Sequence, residues 1–148
     1  MLDRDDALRL LREKGLDEAL TAHCLQTEAV LRNLAERLGR DPQMWGVTGL
    51  LHDLDYPQTK DDPSRHGLVT ARELEGTLPE DALQAIRAHN SEENGTPPGD
   101  EFDFALRCGE SVTGLISANA LVRPQGMDGM KPSSLKKKMK DKSFAAGV

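Results

Sequence analysis

Helix-starting signals recur along this chain, and they constrain its fold more than any other feature. Asp41-Pro42 and Asp62-Pro63 each combine a side chain that caps helices with a proline suited to the first turn. Asp3 provides another cap, and Gly15 is placed to end the helix that follows it. No segment alternates apolar and polar residues as a surface strand does. The sequence therefore predicts an all-α protein.

Apolar residues fall at helical spacing between these signals, and no linker or repeat interrupts them. We expect a single-domain bundle of about six to seven helices over residues 1–148. The predicted helices run from Asp3 to Gly15, from about Asp17 to Leu38, from Asp41 to Tyr56, from Asp62 to Gly76, from Leu78 through His89, from about Glu101 to Leu121, and from Pro132 to about Lys142. Loops are expected at 57–62, 94–99 and 124–131, and the last helix, 132–142, is basic.

Composition excludes several classes of protein. Hydrophobic residues make up 37% and charged residues 30%, which is typical of a soluble globular chain. No apolar stretch approaches the roughly 18 residues of a membrane span. The acidic N-terminus lacks the features of a signal peptide, and two cysteines are too few for a disulfide scaffold. We therefore expect a cytoplasmic protein that does not span a membrane.

Charge is unevenly distributed along the chain. The net charge is −6, yet residues 131–148 contain six lysines and one aspartate. The acidic remainder argues against stable nucleic-acid binding. The basic end is either a solvated helix face or a surface that meets a phosphate group.

Histidines and carboxylates form the most informative pattern. The four histidines, each on a predicted helix near its apolar face or its start, are His23, His52, His66 and His89. Asp53 directly follows His52, and Glu110 lies among apolar residues of the long helix predicted from Glu101. Imidazole and carboxylate groups from separate helices suit a first-row divalent metal. A carboxylate in apolar surroundings is costly unless it is paired or bound to a cation.

Each of these residues also has a purely structural interpretation. A single histidine on an apolar face is more often a hydrogen-bonded core residue than a ligand. Glu110 can instead pair with Arg107 or Arg32. Cys24 and Cys108 are expected to be small buried residues. Taken together, the four histidines, the His-Asp pair and Glu110 favour a metal site.

The segment from Gly49 to Pro57, Gly-Leu-Leu-His-Asp-Leu-Asp-Tyr-Pro, resembles the central motif of the HD superfamily of metal-dependent phosphohydrolases. It is most similar to the small single-domain HDIG-type members. The order of the other residues also matches: His23, the pair His52-Asp53, then His66 and His89, then Glu110 before Thr113-Gly-Leu-Ile116. The resemblance covers about residues 17–148. Two departures are Leu54-Asp55 in place of Ile-Gly, and Glu110 in place of the usual aspartate.

The resemblance implies one or two divalent metal ions (Mn, Fe, Co, Ni, Zn or Mg) held by His23, His52, Asp53 and Glu110. It implies hydrolysis of a small phosphate ester or nucleotide through a metal-activated water. The implied catalytic residues are Asp53, His66 and His89: Asp53 would orient the water, and the two histidines would bind phosphate, donate a proton or complete a second metal site. Arg65, Lys136 and Lys137 are candidate contacts to the substrate phosphate.

Two other functions stay open at this point. Some HD proteins with two irons are oxygenases, and four histidines with two carboxylates fit that chemistry. Glu110 in place of aspartate instead suggests a catalytically inactive, metal-stabilised binding or regulatory domain. The HDIG-type subgroup is expected to continue beyond Gly147-Val148, which would leave one edge of the fold outside this chain.

Overall fold

The structure is a computed structural model that describes residues 2–145, and these are helical with no β-strand. The all-α prediction is confirmed. The helices are α1 (Arg4–Glu13), α2 (Glu18–Leu38), α3 (Pro42–Leu51), α4 (Tyr56–Thr59), α5 (Leu68–Glu73), α6 (Glu80–His89), α7 (Ser91–Asn94), α8 (Glu101–Leu121) and α9 (Pro132–Lys138). A 3₁₀ turn at Pro63–Arg65 lies between α4 and α5. Within residues 2–145, every helix is too short or too polar to cross a membrane.

Helices α1 and α3 begin at the predicted caps, and α2 begins next to Asp17, where its start was predicted. The carboxylates of Asp3, Asp17 and Asp41 each accept a hydrogen bond from a backbone N–H in the first turn of α1, α2 and α3. Gly39 ends α2 in the left-handed conformation, with φ of 67°. The local sequence is therefore sufficient to define these helix boundaries.

Two compact units divide the chain, Met1–Glu110 and Ser111–Val148, and the boundary falls within α8. In the first unit, α2 packs along α3, α3 also contacts α1 and α6, and α5 packs on α6. The largest fully buried apolar side chains of this unit are Leu31, Val47, Leu50, Leu51, Leu54, Ile86 and Leu106. Several of them flank residues 52–53, so the His-Asp pair lies in the core. The assignment of one domain to residues 1–148 stays a prediction.

The structure differs from the sequence prediction between residues 52 and 76. Helix α3 ends at Leu51 instead of Tyr56, and the expected loop at 57–62 contains α4. The single helix expected from Asp62 to Gly76 is split into the 3₁₀ turn and α5. Gly67, between them, has φ of 81°, a conformation incompatible with a continuous right-handed helix.

In the second unit, α9 ends at Lys138 and is shorter than the predicted helix 132–142. The Asp141 side chain accepts hydrogen bonds from the backbone N–H and the hydroxyl of Ser143. Such a local bond stabilises a turn in competition with a further helical turn. Residues 146–148, which the family resemblance included, lie outside the described residues.

Candidate metal site

Four histidines from separate parts of the first unit surround the carboxylate of Asp53. His23 lies on α2, His52 directly follows α3, His66 lies in the turn before α5, and His89 is the last residue of α6. The fold thus brings together residues that are 66 positions apart in the sequence, from 23 to 89.

Every histidine faces Asp53 through the same ring atom, Nε2. Asp53 Oδ1 lies 3.2 Å from His66 Nε2, 3.3 Å from His52 Nε2 and 3.5 Å from His89 Nε2. Asp53 Oδ2 lies 3.6 Å from His23 Nε2. The two carboxylate oxygens therefore face different histidines.

In His52, His66 and His89 the other ring nitrogen, Nδ1, is held by an acceptor inside the protein. His52 Nδ1 donates to the Gly49 carbonyl at 2.8 Å, and His89 Nδ1 donates to the Ile86 carbonyl at 2.5 Å. His66 Nδ1 donates to Asp55 Oδ1 at 2.7 Å. Because carbonyl oxygens only accept, His52 and His89 carry their protons on Nδ1, which leaves Nε2 to bind a cation.

These side chains form two groups that can hold a metal ion, and the groups share one residue. The first is His23, His52 and Asp53, and the second is Asp53, His66 and His89. In the second group, the Nε2 atoms of His66 and His89 are 3.0 Å apart. Ligand atoms about 2.1 Å from one ion are separated by about 3 Å, so this donor set fits a divalent cation.

Burial differs across the site and defines its open side. The exposed fraction of the side chain is 1% for His52 and 5% for His89, but 14% for His66 and 23% for His23. The side of Asp53 that faces His23 and His66 is therefore the less buried one.

Without a metal ion, the site distributes charge unequally. Burial lowers the pKa of His52 to about 3, despite the nearby Asp53 carboxylate, so this ring is neutral. Burial also opposes ionisation of His66, but hydrogen bonds to Asp53 and Asp55 prevail and raise its pKa to about 9. Burial likewise disfavours the Asp53 carboxylate, yet the surrounding imidazoles hold its pKa well below the usual range. The protonated His66 ring thus carries a proton on Nε2, between Asp53 Oδ1 and His89 Nε2.

The sequence model of the HD domain family matches residues 20–141, which include every residue of this site. The chain belongs to the HD domain family. An uncharacterized oxidoreductase of Schizosaccharomyces pombe is 29% identical over 107 residues, which cover 72% of this chain and 30% of the relative. No solved structure matches the chain.

Sequence analysis missed one residue of this HD site, Asp55, and treated it only as a departure from the family motif. Its side chain is fully buried, and its oxygens accept hydrogen bonds from His66, from Gly67 and from Thr70. A second carboxylate two positions after Asp53, in an apolar segment, was the available signal.

Other predicted residues of the HD site lie in different surroundings. Glu110 is half-buried on α8 and belongs to neither metal-binding group of the described residues. Arg107 pairs with Glu92, and Arg32 pairs with Glu28. The three candidate phosphate contacts are exposed: Arg65 directly before His66, and Lys136 and Lys137 on α9.

The two cysteines differ in their environments. Cys24 is buried as predicted, and burial together with the charge of Asp53 raises the pKa of its thiol. Cys108 is exposed, which contradicts the prediction of a buried residue. It lies on the side of α8 turned away from the core, four residues after the exposed Phe104.

Proposed function

We propose that this HD protein is a metal-dependent phosphohydrolase that acts on a small phosphate ester or nucleotide. The observation that carries the proposal is the carboxylate of Asp53, shared by two groups of histidines that present Nε2. Membership of the HD family supports it, since hydrolysis at phosphorus is common among such domains. The neutral state of the buried His52 also favours binding of a cation.

Two cation positions are proposed. His23, His52 and Asp53 form the first, with Glu110 as the further carboxylate ligand. Asp53, His66 and His89 form the second. A divalent ion bound there (Mn, Fe, Co, Ni, Zn or Mg) supplies a Lewis acid and lowers the pKa of water. Gly109, next to Glu110, packs against Leu31 of α2, the helix that carries His23.

The protein's own residues then have distinct tasks. His52 and His89, which are almost fully buried, fix the floor of the site, and Asp53 orients the attacking water. The substrate phosphate approaches from the open side at His23 and His66. Arg65 is proposed to bind its oxygens, because it is exposed and directly precedes His66.

His66 and His89 have a second possible role that depends on the number of ions. If the protein binds a single ion, the proton on His66 Nε2 is available to a leaving oxygen. If it binds two, His66 and His89 are ligands. We favour two ions because the Nε2 atoms of these histidines face each other at 3.0 Å beside Asp53.

Hydrolysis of p-nitrophenyl phosphate and bis-p-nitrophenyl phosphate tests the function, on protein stripped with EDTA and reloaded with one metal at a time. We expect turnover of the wild type with at least one metal. In both Asp53→Asn and His52→Ala we expect turnover to fall by roughly a hundredfold or more. Asp61→Asn is the matched control, because it makes the same change at an exposed position. Turnover that survives in Asp53→Asn contradicts the proposal.

A second candidate function is an HD-type di-iron oxygenase. The name of the yeast relative, an uncharacterized oxidoreductase, favours it, although the match covers 30% of that protein. Four histidines around a shared carboxylate also suit two irons. About two irons per chain with a near-ultraviolet or visible absorption band, together with oxygen uptake and no phosphate release, would favour this function over hydrolysis.

A further inference from the structure

We propose that Asp55 is a positioning residue, which holds the His66 ring so that Nε2 of His66 completes the second cation position. This inference rests on the proposed function, because it assigns Asp55 a task in the metal site. Asp55 would act through His66 and would not bind the ion itself.

The first argument is the location of His66 outside any helix. His52 and His89 each donate Nδ1–H to the carbonyl three residues earlier, Gly49 and Ile86, at the end of their own helix. His66 follows a 3₁₀ turn and has extended backbone, with φ of −63° and ψ of 133°. Its ring therefore needs an acceptor from elsewhere in the chain, and Asp55 Oδ1 provides it at 2.7 Å.

The second argument is that Asp55 is itself fixed from several directions. Its backbone N–H donates to the hydroxyl of Thr70 at 3.0 Å, and its carbonyl accepts from the hydroxyl of Thr59 at 2.9 Å. The second carboxylate oxygen, Oδ2, accepts from the N–H groups of Gly67 and Thr70. One carboxylate therefore orders both the start of α5 and the ring of His66.

These bonds also explain why Asp55 is a positioning residue and not a ligand. Oδ1 is occupied by His66, and Oδ2 by two backbone N–H groups. The side chain is fully buried and belongs to neither metal-binding group among residues 2–145. Carboxylates that hold the second ring nitrogen of a metal-binding histidine commonly strengthen metal binding 10–100-fold.

Metal titration of the whole chain tests this role. Wild type, Asp55→Asn and the exposed control Asp61→Asn are stripped with EDTA and titrated with Zn²⁺, with stoichiometry and affinity measured by calorimetry. We expect two equivalents in wild type and in Asp61→Asn. In Asp55→Asn we expect the first equivalent unchanged and the second weakened by about tenfold or more.

A second variant separates positioning from general stability. Thr70→Val removes the hydroxyl that binds the Asp55 backbone but leaves the carboxylate and His66 intact. We expect Thr70→Val to lower the unfolding temperature and to retain both Zn²⁺ equivalents. Equal weakening of the second equivalent in Thr70→Val and Asp55→Asn would reduce Asp55 to a structural role and overturn the proposal.

A measurement on wild type covers the case in which Asp55→Asn does not fold. Nitrogen-15 NMR of the Zn²⁺-loaded protein should show the His66 proton on Nδ1, protected from exchange, with Nε2 bound to zinc. A zinc-bound Nδ1 would overturn the proposal.

The two proposals fail in different ways. Zn²⁺ binding that follows the expected pattern without any phosphate-ester hydrolysis contradicts the proposed function alone. If Asp55→Asn binds both Zn²⁺ equivalents with wild-type affinity, only the proposed role of Asp55 is contradicted. A wild type that binds no metal contradicts both.

Discussion

Gly67 lies so close to Ile86 that a Cβ atom at position 67 would be 2.6 Å from the Ile86 carbonyl oxygen. It would also lie 3.1 Å from Cε1 of His89. This close approach brings the turn that carries His66 against the end of α6, which carries His89. The close approach of the His66 and His89 rings therefore depends on the absence of a side chain at position 67.

Gly67→Ala is expected to destabilise the protein by about 3 kcal/mol, since it combines a steric clash with a left-handed backbone. Gly76→Ala is the matched control, because Gly76 has φ of 77° but no atom within 4 Å of a Cβ. Backbone strain alone is expected to cost Gly76→Ala about 1 kcal/mol. Urea unfolding in EDTA gives both values, and equal losses would contradict the role of the close approach.

The sequence was sufficient to predict the features that depend on local chemistry. The predicted caps at Asp3 and Asp41, and the predicted helix start at Asp17, involve hydrogen bonds within three residues, so a short window contains both partners. The pair His52-Asp53 was recognisable because it lies in the short segment from Gly49 to Pro57 that resembles the HD motif. These features needed no knowledge of tertiary packing.

The surroundings of His66 could not be predicted in the same way. Its ring is held by Asp55 from 11 positions away, and Gly67 is constrained by Ile86 of α6. Both interactions arise from tertiary packing, and the cap-plus-proline signal at Asp62-Pro63 wrongly predicted a continuous helix there. The role of Asp55 was missed for the same reason, since the partners of its carboxylate lie 11 to 15 positions later, in the turn before α5 and in α5 itself.

The shared carboxylate predicts a defined pattern of metal loss. Asp53→Asn is expected to lose both ions, because Asp53 is the residue common to the two groups. His23→Ala and His89→Ala are each expected to retain one ion, since each removes a ligand from a single group. Elemental analysis after dialysis measures the number of ions per chain. Loss of both ions in His23→Ala and His89→Ala alike would indicate one four-histidine centre instead.

Glu110 is predicted to strengthen the first cation position. Glu110→Ala should weaken the first Zn²⁺ equivalent about tenfold or more, and Glu110→Asp should retain it, because aspartate is the residue expected in the family. Glu93→Ala, an exposed change of the same kind, is the control. Calorimetric titration measures these affinities, and an unchanged first equivalent in Glu110→Ala would remove Glu110 from the ligand set.

Stability of the metal-free protein should decline on both sides of about pH 6.5, the ordinary pKa of histidine. Because the pKa of His66 is raised to about 9, its protonation contributes to the stability of the folded state. This contribution is fully present below pH 6.5 and is lost as the pH rises through 9. The lowered pKa of His52, about 3, has the opposite effect: the unfolded chain binds a proton first, so stability falls as the pH drops below 6.5.

His66→Gln should therefore flatten the decline between pH 6.5 and 9, which we expect to be about 2 kcal/mol in wild type, and leave the acid side in place. Urea unfolding in EDTA at intervals from pH 5 to 9.5 provides the measurement. Zn²⁺ should remove the same alkaline decline in wild type, because the ion replaces the His66 proton between Asp53 and His89. An alkaline decline that is identical in wild type and His66→Gln would show that another group titrates there.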